Sequence, residues 1–299
     1  MALARAMEHT PREQERIVIR RATCTRRADV RLLACILAIG LAAPAYAKPA
    51  RVLRVCADPN NFPFTGEHTP GFENEIADVL ARHLHARVEY TWWAQRRGFF
   101  RNTLNARSCD LVIGVPAGLG MARTTKPYYR SAFAFVTRAD RKLAIKSFED
   151  QRLQSLKIGV QLVGDDGRNS PPAHALAARG IVDNVVGFTP FGDYAKPAPE
   201  ADILRAVADG TIDVAIVWGP LAGAFAKHSK VKLVVTPVAE ASDHDQQMQF
   251  DIAAAVPRKD DAFAGEIEAA LAARHREIIA ILDRWGVPHL DLTPQEAKR

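Results

Sequence analysis

Trp92-Trp93-Ala94-Gln95-Arg96-Arg97 sets two indoles beside an amide and two guanidinium groups. Such a cluster suits an anionic or aromatic ligand, or a protein partner, because Trp, Tyr and Arg are the usual anchors of interfaces. The plainer reading makes one Trp a core residue and one Arg a surface charge. Tyr128 and Tyr129 either line a cleft or pack structural layers together. Catalytic patterns are harder to find. His83 and His85 lie two apart in a helical stretch and face different sides, so they cannot chelate one metal as a helical pair. Asp243-His244-Asp245 is a loop triplet with no further ligand beside it in sequence. There is no H-E-x-x-H, no zinc-spaced cysteine set and no G-x-S-x-G, and the glycine fingerprint of a dinucleotide site is missing after Val52–Ala57. The expectation is a protein that is not an enzyme, with no catalytic residues, no metal and no cofactor.

The elements that must position these residues alternate. Val52–Ala57 reads as a buried strand closed by the turn cluster Asp58-Pro59-Asn60-Asn61. Ile76, Val79, Leu80 and Leu84 share one face of a helix over 72–84. Short strands at 88–90 and 110–115 flank a helix over 99–106, and 133–137 is an extended run that can leave this first unit. The pattern then restarts. Strands are expected at 156–160, 185–188, 214–218 and 233–236, with helices at 174–179 and 202–208. Phe250–Val256 alternates and can return to the first unit, and one long helical pattern runs from Ala262 to Trp285 before Gly286 and Pro288 stop it. Alternating strands and helices imply parallel sheet in two similar α/β units, the second nested in the first. Ligands of such sheets sit beyond the carboxyl ends of the strands. The loops there are Asp58–Phe64, which carries Asn60 and Phe62, then 92–98, 116–122, 164–170 and 218–220, which carries Trp218.

Charge and composition narrow the partners. The 299 residues carry a formal +6, but residues 1–47 hold eight Lys/Arg against four Asp/Glu, which leaves the remainder near neutrality. That balance gives no footing for nucleic acid, whose backbone requires clustered cations. Residues 1–47 read as a signal peptide: a basic front, the apolar run LLACILAIGLAA, and the small-x-small site Ala45-Tyr46-Ala47. Export to the periplasm with cleavage near Ala47 is the expectation, and the mature chain has no apolar stretch long enough to span a membrane. Cys24 and Cys35 leave with the leader, so Cys56 and Cys109 remain.

In series, LRVCADPNNFPF, GFENEIADVLARHL, CDLVIGV, KPYYRSAFAFV, LKIGVQLVGDDG, ILRAVADGTIDVAIVWGP and EIEAALAARHREIIAILDRWGVP resemble the family-3, amino-acid-type solute-binding proteins, over nearly the whole mature chain. TWWAQRRGFFRNTLNARSCDLVIGVPAG followed by TTKPYYRSAFAFVTR resembles one subgroup in particular, the solute-binding-like proteins associated with quinoprotein methanol dehydrogenases, the methanol-oxidation J proteins. The resemblance implies an α/β type II periplasmic binding protein, two doubly wound lobes joined by two crossover strands. Residues 48–137 begin lobe 1, 138–240 form lobe 2, and 241–299 return to lobe 1 and end in the C-terminal helix. It also implies a PQQ-dependent methanol dehydrogenase as protein partner. Asp58 matches the first-lobe amine contact of the amino-acid receptors. Two departures weaken a zwitterion site: Trp218 stands where those receptors keep a second acid, and Arg123 lies too close to Pro127 to match their carboxylate-binding arginine. Asp58, Asn60, Phe62, Trp93, Gln95, Arg96, Arg97, Tyr128, Tyr129 and Trp218 are therefore candidates for a ligand or partner cleft. Three readings stay open: a dehydrogenase accessory, an importer receptor for a small non-amino-acid solute, and an enzyme on a receptor scaffold.

The two mature cysteines pose a conflict. Two cysteines in an exported protein invite one bridge, and relatives carrying both would fit that. In the family's sheet order, however, the first and third strands are parallel neighbours, with Cys56 near the carboxyl end of one and Cys109 just before the amino end of the other. A four-residue offset is about 13 Å along a strand, beyond the roughly 7 Å that a disulfide tolerates. The expectation is no disulfide, with Cys56 and Cys109 as separate buried thiols.

Overall fold

The computed structural model describes residues 51–162, 169–190 and 193–292. The expected signal peptide with Cys24 and Cys35, and all but the last two residues of the 164–170 loop, lie outside the described residues. Alternating apolar residues form β1 (Arg51–Ala57), which pairs in parallel with β2 (Ala86–Trp92), from Arg51 opposite Ala86 to Ala57 opposite Trp92. Between them α1 (Phe72–His83) buries Phe72, Ile76, Val79 and Leu80, the face its spacing predicts. The helix expected over 99–106 is shorter: α2 (Phe99–Asn102) is one turn, closed by the Thr103 hydroxyl donating to the Phe99 carbonyl at 2.7 Å. β3 (Val112–Pro116) and the long β4 (Tyr129–Arg138) follow.

The second half repeats the alternation with β5 (Ile158–Gln161), α3 (Pro171–Ala177), β6 (Val185–Phe188), α4 (Asp202–Ala208) and β7 (Val214–Trp218). The next element, α5 (Gly219–His228), is not anticipated from the sequence, where 218–220 reads as a loop. Pro220 in its first turn, where a missing N–H costs nothing, is the local signal for it. β8 (Leu233–Pro237) and β9 (Gln249–Val256) complete the sheet, whose path is β3-β9-β4-β7-β5-β6 with β8 on β4. β4 pairs through Tyr129–Ala132 with β9, and through Phe133–Arg138 with β7 and β8. Thus β4 and β9 are antiparallel crossover strands that link two α/β lobes.

The C-terminal helical pattern is two helices, α6 (Asp261–Ala273) and α7 (His275–Trp285), separated at Arg274. One straight helix over that span would be roughly 36 Å long. The break lets Ile267 and Leu271 of α6, and Ile278 and Leu282 of α7, enter one core with Ile76 and Leu80 of α1. Separate apolar clusters lie on the two faces of the β5–β7 region, around Ile158 and Ile216 and around Ile203 and Val217. No helix among the described residues is long and apolar enough to cross a membrane.

Cys56 and Cys109 form a disulfide, with Cα atoms 5.5 Å apart, so the expectation of two separate thiols is wrong. The strand order behind that expectation holds, since Val55 bridges Leu111 in parallel. The failing step is the assumption that Cys109 extends β3 in line. Ser108, just before it, has its carbonyl bonded by the Thr91 hydroxyl at 2.9 Å, and Thr91 is the β2 register partner of Cys56. The chain therefore crosses laterally from beside β2 before it enters β3, and Cys109 meets Cys56 side-on. Phe99, Leu104 and Val112 enclose the bridge.

Candidate functional site

The site begins where β1 ends. Asp58 is buried, and its turn is locked by Thr65, whose hydroxyl donates to the Asp58 carbonyl at 2.8 Å and accepts from the Asp58 N–H at 3.2 Å. The first turn of α1 fastens the far side. Phe72 and Glu73 donate their backbone N–H groups to the Pro63 and Phe64 carbonyls, and the Asn74 side chain accepts from Gly66 and Gly71. These bonds satisfy donors that a helix start leaves open. Gly71 is required there, because a Cβ would run into the Pro63 and Phe64 carbonyl oxygens.

Asp58 presents its carboxylate to donors of the protein itself. Oδ1 accepts from the Asn60 N–H at 2.8 Å, and Oδ2 accepts from the Gln95 N–H at 2.5 Å and the Tyr194 hydroxyl at 2.6 Å. Tyr194 belongs to the second half of the chain, in the segment between β6 and α4. The Asn60 amide holds that segment further, donating to the Lys196 carbonyl at 2.9 Å and accepting from the Ala198 N–H at 3.4 Å. From the other side Arg205 of α4 donates to the Pro197 and Ala198 carbonyls at 2.9 and 3.0 Å. The Arg96 guanidinium lies 4.7 Å above the Tyr194 ring, in cation–π range. Burial pushes the Tyr194 phenol above its ordinary pKa, and the Asp58 carboxylate that accepts its proton pushes the same way.

The structure gathers the expected Asp58, Asn60, Gln95 and Arg96 beside Tyr194, Arg205 and Glu200, which the sequence reading does not name. The only local signal was the Pro-rich run Asp193-Tyr194-Ala195-Lys196-Pro197-Ala198-Pro199, which reads as a loop and names no partner. Glu200 follows that run, is buried, and lines a cavity of about 240 Å³ with Asp58, Asn60, Gln95 and Tyr194. Its Oε1 has no hydrogen-bond partner among the described residues. Burial raises its pKa and the Asp58 charge adds to this. Its own and the Phe62 backbone N–H groups and Arg205 oppose, and the carboxyl ends pushed up to about 7.

The other candidates scatter. Phe62 lies between the lobes, with its ring 6.3 Å from Trp285 and its side chain against the second-lobe cluster. Trp93 is 45% exposed, and Arg97, four residues on, is exposed as well. Tyr128 and Tyr129 are not in the cleft: they are buried in the first-lobe core with rings 5.0 Å apart, and burial holds both hydroxyls well above the usual phenol range. Tyr128 directly precedes β4 and Tyr129 opens it, and both share the first-lobe core with Leu271 of α6 and Ile278 of α7. Trp218 packs edge-on against Phe133 and Phe250 at 5.5 and 5.7 Å, so an aromatic cluster sits where β4, β7 and β9 meet. Asp243 of the acidic-histidine triplet is bound by Arg179 through both oxygens at 2.7 and 2.8 Å and by His244 at 2.8 Å.

No family model matches the chain. It is 34% identical over 262 residues to Protein MoxJ of Methylorubrum extorquens, covering 83% of this chain and 85% of that protein. Against Protein MoxJ of Paracoccus denitrificans the identity is 32%, covering 85% and 94%. The crystal structure of the periplasmic binding protein XoxJ from Methylobacterium extorquens AM1 superposes with a TM-score of 0.66 at 32% identity, covering 80% of this chain and 99% of that one. Relatives at this identity and coverage, together with the crossover-strand architecture, show that the chain belongs to the MoxJ family of methanol-oxidation-associated periplasmic binding proteins.

Proposed function

We propose that this chain is a non-catalytic periplasmic accessory of a PQQ-dependent methanol dehydrogenase, exported by a leader cleaved near Ala47, that binds the dehydrogenase or aids its maturation. One observation carries this reading. The carboxylate that would meet a ligand's ammonium is bonded by Tyr194, Gln95 and Asn60 of the same chain. An incoming amine meets a carboxylate with three of its roughly four acceptor positions already taken, by charge-assisted bonds about twice as strong as neutral ones. The second acid of a zwitterion site is replaced by Trp218, whose ring is held by two phenylalanines. A protein partner asks nothing of that cleft. Exposed Trp93 with Arg97 is an anchor pair of the kind protein interfaces use.

Calorimetric titration of the mature protein with the common amino acids is expected to show no affinity tighter than about 0.1 mM, which corresponds to less than about 5.5 kcal/mol of binding. Low-micromolar binding of any one of them would return the protein to the solute receptors. Tight binding of a small solute that is not an amino acid would favour the importer-receptor reading instead.

A further inference from the structure

We infer that residues 193–198 form a strap that closes the cleft from within, and that the proton on Glu200 keeps the strap shut. The strap crosses from the second half of the chain to the Asp58 turn. It is fastened there by two groups, the Tyr194 hydroxyl on Asp58 and the Asn60 amide on the strap backbone. Arg96 covers the tyrosine ring from outside. On its own side the strap is an internally bonded turn: Asp193 accepts from the Ala195 N–H through its side chain and from the Lys196 N–H through its carbonyl, and Arg205 holds the far end. This is a preformed piece that can lift as a unit.

Glu200 stands at the foot of the strap, in the short 3-10 turn Pro199–Ala201. Its unpartnered Oε1 is buried in the cavity that Asp58 and Tyr194 also line. A neutral carboxyl is tolerated there. An ionised one adds a second negative charge beside Asp58, and the Phe62 and Glu200 backbone N–H groups and the Arg205 charge do not offset the cost of burying it. The charged and titratable groups facing it are few. Asp58 repels it. Arg205 attracts it, but its guanidinium is already bonded to Asp202 and to the strap carbonyls. Arg96 lies 4.7 Å above the Tyr194 ring, and the Tyr194 proton already belongs to Asp58. Admitting water by lifting the strap relieves the repulsion.

The sign follows from proton linkage. In the closed state the Glu200 carboxyl sits near pH 7, above its ordinary value of 4.5, so the closed state holds a proton that the open state releases. Opening is therefore favoured as pH rises, by about tenfold per pH unit up to about 7, and levels off above. The strap closes at acidic pH and loosens towards neutrality. This does not depend on the presence of a dehydrogenase.

Hydrogen exchange of the mature protein at pH 5.5, 6.5, 7.5 and 8.5, corrected for intrinsic rates, tests it at the amide of Ala198, whose N–H crosses from the strap to Asn60. The opening constant is expected to rise about twentyfold from pH 5.5 to 7.5 and little more by pH 8.5. Glu200→Gln, which keeps the shape and removes the titration, is expected to stay closed with a flat profile. Tyr194→Phe is expected to exchange rapidly at every pH. A flat profile in the unmodified protein, a rise that persists in Glu200→Gln, or full protection in Tyr194→Phe would each overturn the inference.

Discussion

Replacing both Cys56 and Cys109 with serine is expected to lower the stability of the mature protein by about 4 kcal/mol in the chain-entropy treatment of a loop this long. The bridge spans a sequence separation of 53 residues, so it removes much freedom from the unfolded chain. It fixes β1 to the stretch that leads into β3, and β1 ends at the turn that presents Asp58. Both cysteines are almost fully buried among Phe99, Leu104 and Val112, so the serine hydroxyls also lose water without gaining a designed partner. Urea unfolding of the oxidised protein, the reduced protein and the double serine variant measures the effect. Reduced and double-variant proteins are expected to lose stability together. Oxidised and reduced curves that coincide would mean that the bridge does not constrain the chain.

Arg130→Ala is expected to cost about 2–3 kcal/mol, below the roughly 3–5 kcal/mol for breaking a fully buried ion pair, because Asp251 keeps some contact with water. Arg130 is on β4 and Asp251 opposite it on β9, so the pair ties the two crossover strands at one register position. Arg130 Nε donates to Oδ1 at 2.6 Å and Nη2 to Oδ2 at 3.2 Å, a fork that lysine cannot copy. The arginine side chain is 10% exposed and the aspartate 34%. Removing the guanidinium leaves a half-buried carboxylate without its cation, whereas Arg130→Ala with Asp251→Ala together should cost less than the sum of the single changes. A double-mutant cycle by urea unfolding checks this. Strictly additive losses would show that the two side chains act independently.

Much of this architecture is legible in the sequence where local pattern decides. Strands 185–188 and 214–218 and the helix 202–208 have the bounds that hydrophobic spacing predicts, because their apolar residues meet a core on a face set by the period alone. The errors occur where distant chain decides. The C-terminal pattern is continuous in sequence, yet it breaks at Arg274 so that both halves reach α1. Cys109 looks like the residue before a strand, and only its lateral approach past Thr91 brings it to Cys56. The cleft divides in the same way. Asp58 is legible because a turn at the carboxyl end of a first strand is where ligands meet such sheets. Its partner Tyr194 is more than a hundred residues away in an unpatterned loop, so no spacing rule connects them.

The Asp58 carboxylate bonds to its own chain and Trp218 packs against Phe133 and Phe250, and both fit the proposed role of meeting another protein. The exposed Trp93 and Arg97 lie on the first-lobe loop that also supplies the Gln95 N–H to Asp58, so surface and cleft are joined through one short segment. The measurement that bears on this proposal is capture by the tagged mature protein, under moderate salt, from the periplasm of methanol-grown cells. The captured fraction is identified by mass spectrometry and by its PQQ absorbance. Stoichiometric recovery of the PQQ-dependent methanol dehydrogenase, reduced at least tenfold by Trp93→Ala with Arg97→Ala, is the expected result. Recovery of no dehydrogenase by the unmodified, folded protein would contradict it.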